Sequence, residues 1–121
     1  MINAAAEKKY ALVCVTSMGI RITPVDRQPV HTSDLFLMQA TSAESNVLSI
    51  AASLGKPCKV LTKFVQESPI SRFIQGDLRR RGLEFEGPAV PQGGAWGYRH
   101  QFNIADSGYS LRGPLAWNDR A

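Results

Sequence analysis

From Tyr10 to Glu86, short apolar bursts alternate with segments of helical period. Tyr10 to Val15 (Tyr-Ala-Leu-Val-Cys-Val) is a continuous apolar run of β-formers, which predicts a central strand covered on both faces. Ile20-Arg21-Ile22-Thr23 alternates, as a half-exposed strand does, and Pro24 and Pro29 punctuate the loop that follows. Asp34 to Gln39 predicts a second short strand. Thr41 to Leu54 predicts a helix whose buried stripe is Ala43, Val47, Ile50, Ala51 and Leu54. Thr41 and Glu44 fit a capping box, with Gly55 and Pro57 as the stop signal.

Cys58 to Val65 reads as another strand. Ser68-Pro69 opens a second helix, with serine at the N-cap and proline in the first turn. Ile70, Phe73, Ile74 and Leu78 form its apolar stripe, Gly82 ends it, and Leu83 to Glu86 begins the next strand. Strands alternating with helices imply a parallel sheet with right-handed crossovers. The excursion between Ile20 and Gln39 is too long for a plain strand-to-helix loop and predicts a projecting β flap. Beyond Gln92-Gly93-Gly94, Tyr98 to Ile104 alternates, with Tyr98, His100, Phe102 and Ile104 on one face. Asp106-Ser107-Gly108 marks a turn, and Tyr109 to Arg112 is the expected partner strand. Gly113-Pro114 interrupts it before Leu115-Ala116-Trp117-Asn118.

A length of 121 residues fits one domain, and a hydrophobic content of 44% is ordinary for a soluble globular chain. Residues 1–9 read as a flexible leader. No apolar run approaches the ~20 residues that span a bilayer, so no membrane partner is expected. Cys14 and Cys58 sit in apolar strands and read as buried reduced thiols, which points to a cytoplasmic setting. They do not form a metal-ligand pattern with His31 and His100. The net charge is +4, and Arg79-Arg80-Arg81 is the single basic run. It closes a predicted helix, where cations complement the dipole, so no nucleic-acid partner is expected.

The chemistry-bearing segment is Gln39-Ala40-Thr41-Ser42-Ala43-Glu44-Ser45-Asn46-Val47, at a helix N-terminus after the run Leu35 to Met38. Backbone N–H groups and a short amide there suit an oxygen-rich ligand. Asn46 reads either as a ligand for a substrate hydroxyl or as an amide tying the helix start to a neighbouring loop. Arg21 either lines a site from the flap or is a surface charge on an edge strand. Tyr98, His100, Trp96 and Trp117 are expected to be packing residues.

Ala43-Glu44-Ser45-Asn46-Val47, opening a helix that ends in Leu54-Gly55, resembles the ribokinase-like PfkB carbohydrate kinases, and most of all their 2-keto-3-deoxygluconate kinase branch. Gly19-Ile20-Arg21-Ile22-Thr23-Pro24, Leu78-Arg79-Arg80-Arg81-Gly82-Leu83 and Asn118-Asp119-Arg120-Ala121 add to the likeness, which runs from Tyr10 onward. The resemblance implies the N-terminal part of a doubly wound, mainly parallel α/β sheet. A β-sheet lid, here residues 18–39 and 95–120, would project from this single partial domain at 10–121 and would also serve as a homodimer surface.

The resemblance further implies transfer of the ATP γ-phosphoryl group to a hydroxyl of a sugar or sugar acid, with magnesium. By position in the motifs, Thr41, Ser42, Asn46, Asn118 and Arg120 are the substrate-binding candidates. Arg120 would clamp a carboxylate or simply end the chain in solvent. Thr41-Ser42 stands where the family has paired glycines, and Thr16-Ser17 where the branch has Gly-Glu. No motif like Gly-Ala-Gly-Asp occurs, so the catalytic aspartate and the ATP site are not expected in these residues and no activity is expected of this chain alone. The alternative is a non-catalytic binding or dimerisation module of the same fold.

Overall fold

The computed structural model describes residues 8–119. A parallel three-stranded sheet runs in the order β1 (Leu12–Val15), β4 (Cys58–Leu61), β6 (Glu84–Glu86). A second sheet of four strands runs β3 (Phe36–Thr41), β2 (Gly19–Pro24), β8 (Gln101–Asp106), β9 (Leu115–Asp119). Short β5 (Phe64–Val65) and β7 (Ala89–Val90) pair in parallel and extend the β4–β6 ladder. Bonds from Thr62 N–H to Glu86 O (3.0 Å), Phe64 N–H to Pro88 O (3.0 Å) and Gln66 N–H to Val90 O (2.8 Å) carry it through the break. The break needs Gly87, because a Cβ there would lie 1.4 Å from the Thr62 carbonyl oxygen. The mixed α/β class and the parallel sheet follow the expectation from the sequence.

The two helices, α1 (Ala43–Ser53) and α2 (Pro69–Arg80), lie on one face of the parallel sheet. A strand order that advances in one direction with right-handed crossovers puts every connecting helix on the same side. Leu48, Cys58, Val60, Ile74 and Leu78 make the centre of the core between helices and sheet. Helix α2 follows its sequence signals. The Ser68 side chain caps Ser71 N–H, Pro69 begins the helix, and Gly82 ends it with φ +71°. Ile74 and Leu78 are buried, with Ile70 and Phe73 packed against them. The arginine run is engaged locally: Arg79 stacks on the Phe85 ring at 5.0 Å and Arg80 pairs with Asp77 at 3.1 Å.

Four expectations change. Among the described residues β1 lies at the edge of its sheet, and the strand buried in the middle is β4. Helix α1 turns Ser45 and Leu48 into the core, with Ala51 and Ala52 beside them, while Val47, Ile50 and Leu54 are exposed. Its serines pack inward because they are satisfied within the helix: Ser45 Oγ donates to Ser42 O (3.1 Å) and Ser49 Oγ to Ser45 O (2.7 Å). The cap is Ser42, whose Oγ accepts from Ser45 N–H at 3.0 Å; Thr41 ends β3, and Glu44 instead accepts from Thr16 Oγ1 at 2.7 Å. The strand that returns against β8 is Leu115–Asp119, because Tyr109 and Arg112 pair only with each other across a tight turn.

Two substitutions test this packing. Leu48→Ala removes a fully buried side chain and should cost ~2–5 kcal/mol. Gly87→Ala should cost at least ~1–3 kcal/mol, since the clash is with backbone and the ladder must shift. Urea unfolding of each variant against the parent measures both.

Candidate functional site

The C-terminal ends of β1, β4 and β6 open into a cleft of about 1140 Å³. In open parallel α/β sheets, ligands bind outside the carboxyl ends of the strands. Thr16 and Ser17 follow β1, Lys63 follows β4 and Glu86 ends β6; residues 96–100 close the cleft from the other side. Val15, Leu61, Val65 and Trp96 supply the apolar lining, and Lys63 lies 5.7 Å from the centre of the Tyr98 ring. The composition, mostly apolar with a few hydroxyls and cations, suits a small polar ligand.

His100 latches the two sheets together at this cleft. Val65 N–H on β5 donates to its Nε2 (3.3 Å), so Nδ1 carries the proton and donates to the Met18 carbonyl (3.0 Å) just before β2. Burial holds its pKa below the ordinary histidine value, with the Met18 carbonyl pushing weakly the other way. A neutral, doubly bonded ring is a positioning group and not a proton shuttle.

β2 and β8 leave the cleft side by side and in parallel. Successive side chains of a strand alternate between faces. Register therefore builds one polar row across the second sheet, Gln39–Arg21–Asn103–Asn118. It also builds one apolar row behind it, Met38–Ile22–Ile104–Trp117. Within the polar row, Arg21 Nε donates to Asn103 Oδ1 (3.0 Å) and Asn103 Nδ2 donates to Asn118 Oδ1 (2.6 Å). A hollow of about 440 Å³ lies over this face, lined in part by Arg21, Thr23, Gln39 and Asn103.

The residues singled out in the sequence fall into separate places. Thr41 shares the polar face, opposite Gly19. Two strands separate Thr41 from Asn118, about 14 Å by strand spacing, so a ligand touching both would lie across the sheet. Ser42 is buried and its Oγ is spent on the cap. Asn46 accepts from Arg81 Nη1 at 3.2 Å, and Arg81 also donates to Ala40 O at 2.9 Å, joining α2 to the end of β3. Arg120 lies outside the described residues. Arg21 sits on an interior strand of the sheet, not an edge. Tyr98, His100 and Trp96, expected as packing, line the cleft, and His100 at the same time bridges the two sheets. Reading single segments misses Lys63, Gln39 and Asn103. Gln39 and Asn103 each sit at an alternate position of their strand, and pairing alone aligns them with Arg21, while Lys63 has no local signal.

No family model matches the chain, and no curated protein does. Solved structures do match. The 2-dehydro-3-deoxygluconokinase of Thermotoga maritima superposes with a TM-score of 0.79 over 91% of this chain at 24% identity. A PfkB family carbohydrate kinase from Listeria grayi gives 0.78 over 90% at 21% identity. An uncharacterized sugar kinase of Pyrococcus horikoshii, solved in complex with ATP, gives 0.69 over 88% at 13% identity. Shares of 32%, 32% and 33% of those chains are covered, so this chain spans about a third of their length. Its fold is that of part of a ribokinase-like carbohydrate kinase.

His100 carries a pH signature. Its folded pKa is lowered, so between that value and the ordinary 6.5 the unfolded chain binds more protons. Stability is complete above pH 6.5 and declines as pH falls below it, with a slope of at most ~1.4 kcal/mol per pH unit. Urea unfolding between pH 7.5 and 5.5 (~2 units,) should show that loss in the parent and not in His100→Ala. An equal slope in the variant would assign it elsewhere.

Proposed function

We propose that this chain is the substrate-side portion of an ATP-dependent sugar or sugar-acid kinase, holding the acceptor while the phosphoryl-transfer groups come from other residues. One observation carries this: a roomy cleft at the C-terminal ends of a parallel sheet, at the base of a second sheet with a polar face, in a fold shared with solved carbohydrate kinases. A sugar presents many hydroxyls and few charges. The row Gln39–Arg21–Asn103–Asn118 offers amides that both donate and accept, together with one guanidinium for a carboxylate. Thr41 and Asn118 are the motif residues on that face, and in this proposal they meet substrate hydroxyls. Arg120, outside the described residues, is the motif's candidate carboxylate clamp. Ser42 and Asn46 support the site by fixing the start of α1.

ATP and magnesium belong to the reaction through the likeness to the kinases. The described residues do not fit either. No group of three His, Cys, Asp or Glu side chains among them is placed to hold a metal ion. Neither described helix opens from a glycine-rich turn, since Ser42 precedes α1 and Ser68 precedes α2. No step through these groups is derived from this chain, and the sugar hydroxyl would be oriented here and activated elsewhere. A cytoplasmic site of action belongs to the same proposal and agrees with Cys14 and Cys58 both being free thiols. No described helix is long and apolar enough to cross a membrane.

A second reading, a dimerisation module, is favoured by the apolar row Met38–Ile22–Ile104–Trp117, of which Met38 and Trp117 are 40% and 50% exposed. A homodimer through this sheet would cover that row.

Thermal melting with a panel of sugars separates the readings. A ligand that binds only the native form at a hundredfold excess over its Kd adds ~2.7 kcal/mol, a rise on the order of 10 °C for a chain this size. 2-Keto-3-deoxygluconate or gluconate should raise the melting point, and Arg21→Ala should remove most of the rise. If no sugar or sugar acid moves the parent's melting point, substrate holding by this chain is ruled out.

A further inference from the structure

The row Gln39–Arg21–Asn103–Asn118 has a fixed hydrogen-bond polarity, and its buried member sets it. Asn103 is 9% exposed, while Arg21 and Asn118, on the strands either side, face solvent. Two neighbours decide which way the Asn103 amide points. Arg21 Nε can only donate, so Asn103 turns Oδ1 to it (3.0 Å). The Trp117 carbonyl can only accept, so Asn103 turns Nδ2 to it (3.3 Å). Both demands give the same orientation, and Nδ2 then also donates to Asn118 Oδ1 (2.6 Å).

The consequence falls on the two flanking side chains. Asn118 gives its oxygen to Asn103, which leaves Nδ2, the donor end, turned away from it. Arg21 gives Nε to Asn103, and its two Nη groups take no partner among the described residues. Alone, an amide can donate or accept; bonded in this order, Arg21 and Asn118 both offer N–H groups. They lie two strand spacings apart, about 10 Å, within reach of one extended sugar acid. The charge agrees. Among the described strand residues, register places no Asp or Glu on this face, and Arg21 is its one charged side chain. Asp106, at the rim of the hollow, is neutralised by Arg112.

We propose that Asn103 is a positioning residue that sets ligand specificity. By holding Arg21 and Asn118 as donors, it makes this face select a ligand whose end group only accepts, a carboxylate or a carbonyl, over a neutral polyol. A hydroxyl accepts here too, but its own proton finds no acceptor at either side chain, while a carboxylate gains charge-assisted bonds. Asn103 itself touches no ligand. This role rests on the reading of the face as the sugar site, and adds to it the group that tells an acid from an alcohol of the same carbon skeleton.

Gluconate and glucitol share one carbon skeleton and differ at one end, carboxylate against hydroxymethyl. Their ratio of Kd, measured by titration calorimetry on the 121-residue chain, reads the preference. The parent should favour gluconate ~10-fold or more. Asn103→Leu changes no charge and frees both neighbours, so it should cut that ratio by ~3-fold or more. Asn103→Asp still accepts from Arg21 but has no N–H for Asn118, whose amide turns round; its ratio should fall to one or below. A merely structural role would weaken both ligands alike and leave the ratio as it was. A parent ratio near one, or a ratio unchanged in both variants, overturns the proposal. If neither compound binds the parent, the sugar reading falls, and sodium acetate against sodium chloride at equal ionic strength decides the role of Asn103. Acetate should move the Asn118 side-chain amide resonances by NMR in the parent and not in Asn103→Leu. No movement in the parent, or equal movement in the variant, overturns the proposal as well.

Discussion

Ile20 is 2% exposed, and its burial sets the geometry of the whole second sheet. With Ala40 and Phe102 it packs on the same core as Leu48, Ile74 and Leu78. Once Ile20 points into that core, Gly19, Arg21 and Thr23 must point the other way, because a strand alternates with period two. Hydrogen-bonded register then places Gln39 and Asn103 beside Arg21, and Asn118 beside Asn103. A slip of one residue in β2 would send Arg21 into the core and Ile20 into the hollow that the polar face lines. The candidate substrate face is thus a consequence of core packing several residues away.

His100 extends this coupling to the cleft. It bridges the β5 backbone and the residue before β2, so the strand ends and the base of the second sheet are held at a set distance. A neutral imidazole with both nitrogens committed is a stiff strut between the two sheets. Arg81 does the same at the C-terminal end of β3, tying Ala40 O to Asn46, Ser49 and Asp77. Both ties draw together segments far apart in the chain.

The uncovered surfaces follow from the same topology. With both helices on one face, the other face of the parallel sheet carries Val13 and Val15 beside Lys59, Glu84 and Glu86. Lys59 pairs with Glu86 and Tyr10 bonds Glu84, so the β4–β6 side of that face is satisfied in water. The β1 side of that face carries the exposed Val13 and Val15, while the exposed Val47, Ile50 and Leu54 of α1 lie on the helix side of the sheet.

Local signals in the sequence were enough for α2. Ser68-Pro69, the spacing of Ile70, Phe73, Ile74 and Leu78, and Gly82 each act within a few residues, so nothing distant can overrule them. The strand and helix order and the parallel sheet were legible for the same reason. The buried side of α1 was not, because serines and alanines line one flank and valine, isoleucine and leucine the other, and hydrophobicity alone picks the wrong one. Only the neighbours decide: Arg81 claims Asn46 and Ser49, and the sheet claims Leu48. β1 reads as a central strand because its composition is that of one, yet its place in the sheet depends on which strands lie beside it. The row Gln39–Arg21–Asn103–Asn118 belongs wholly to tertiary structure, since its members lie on four strands and become neighbours through hydrogen-bond register, which no local pattern encodes.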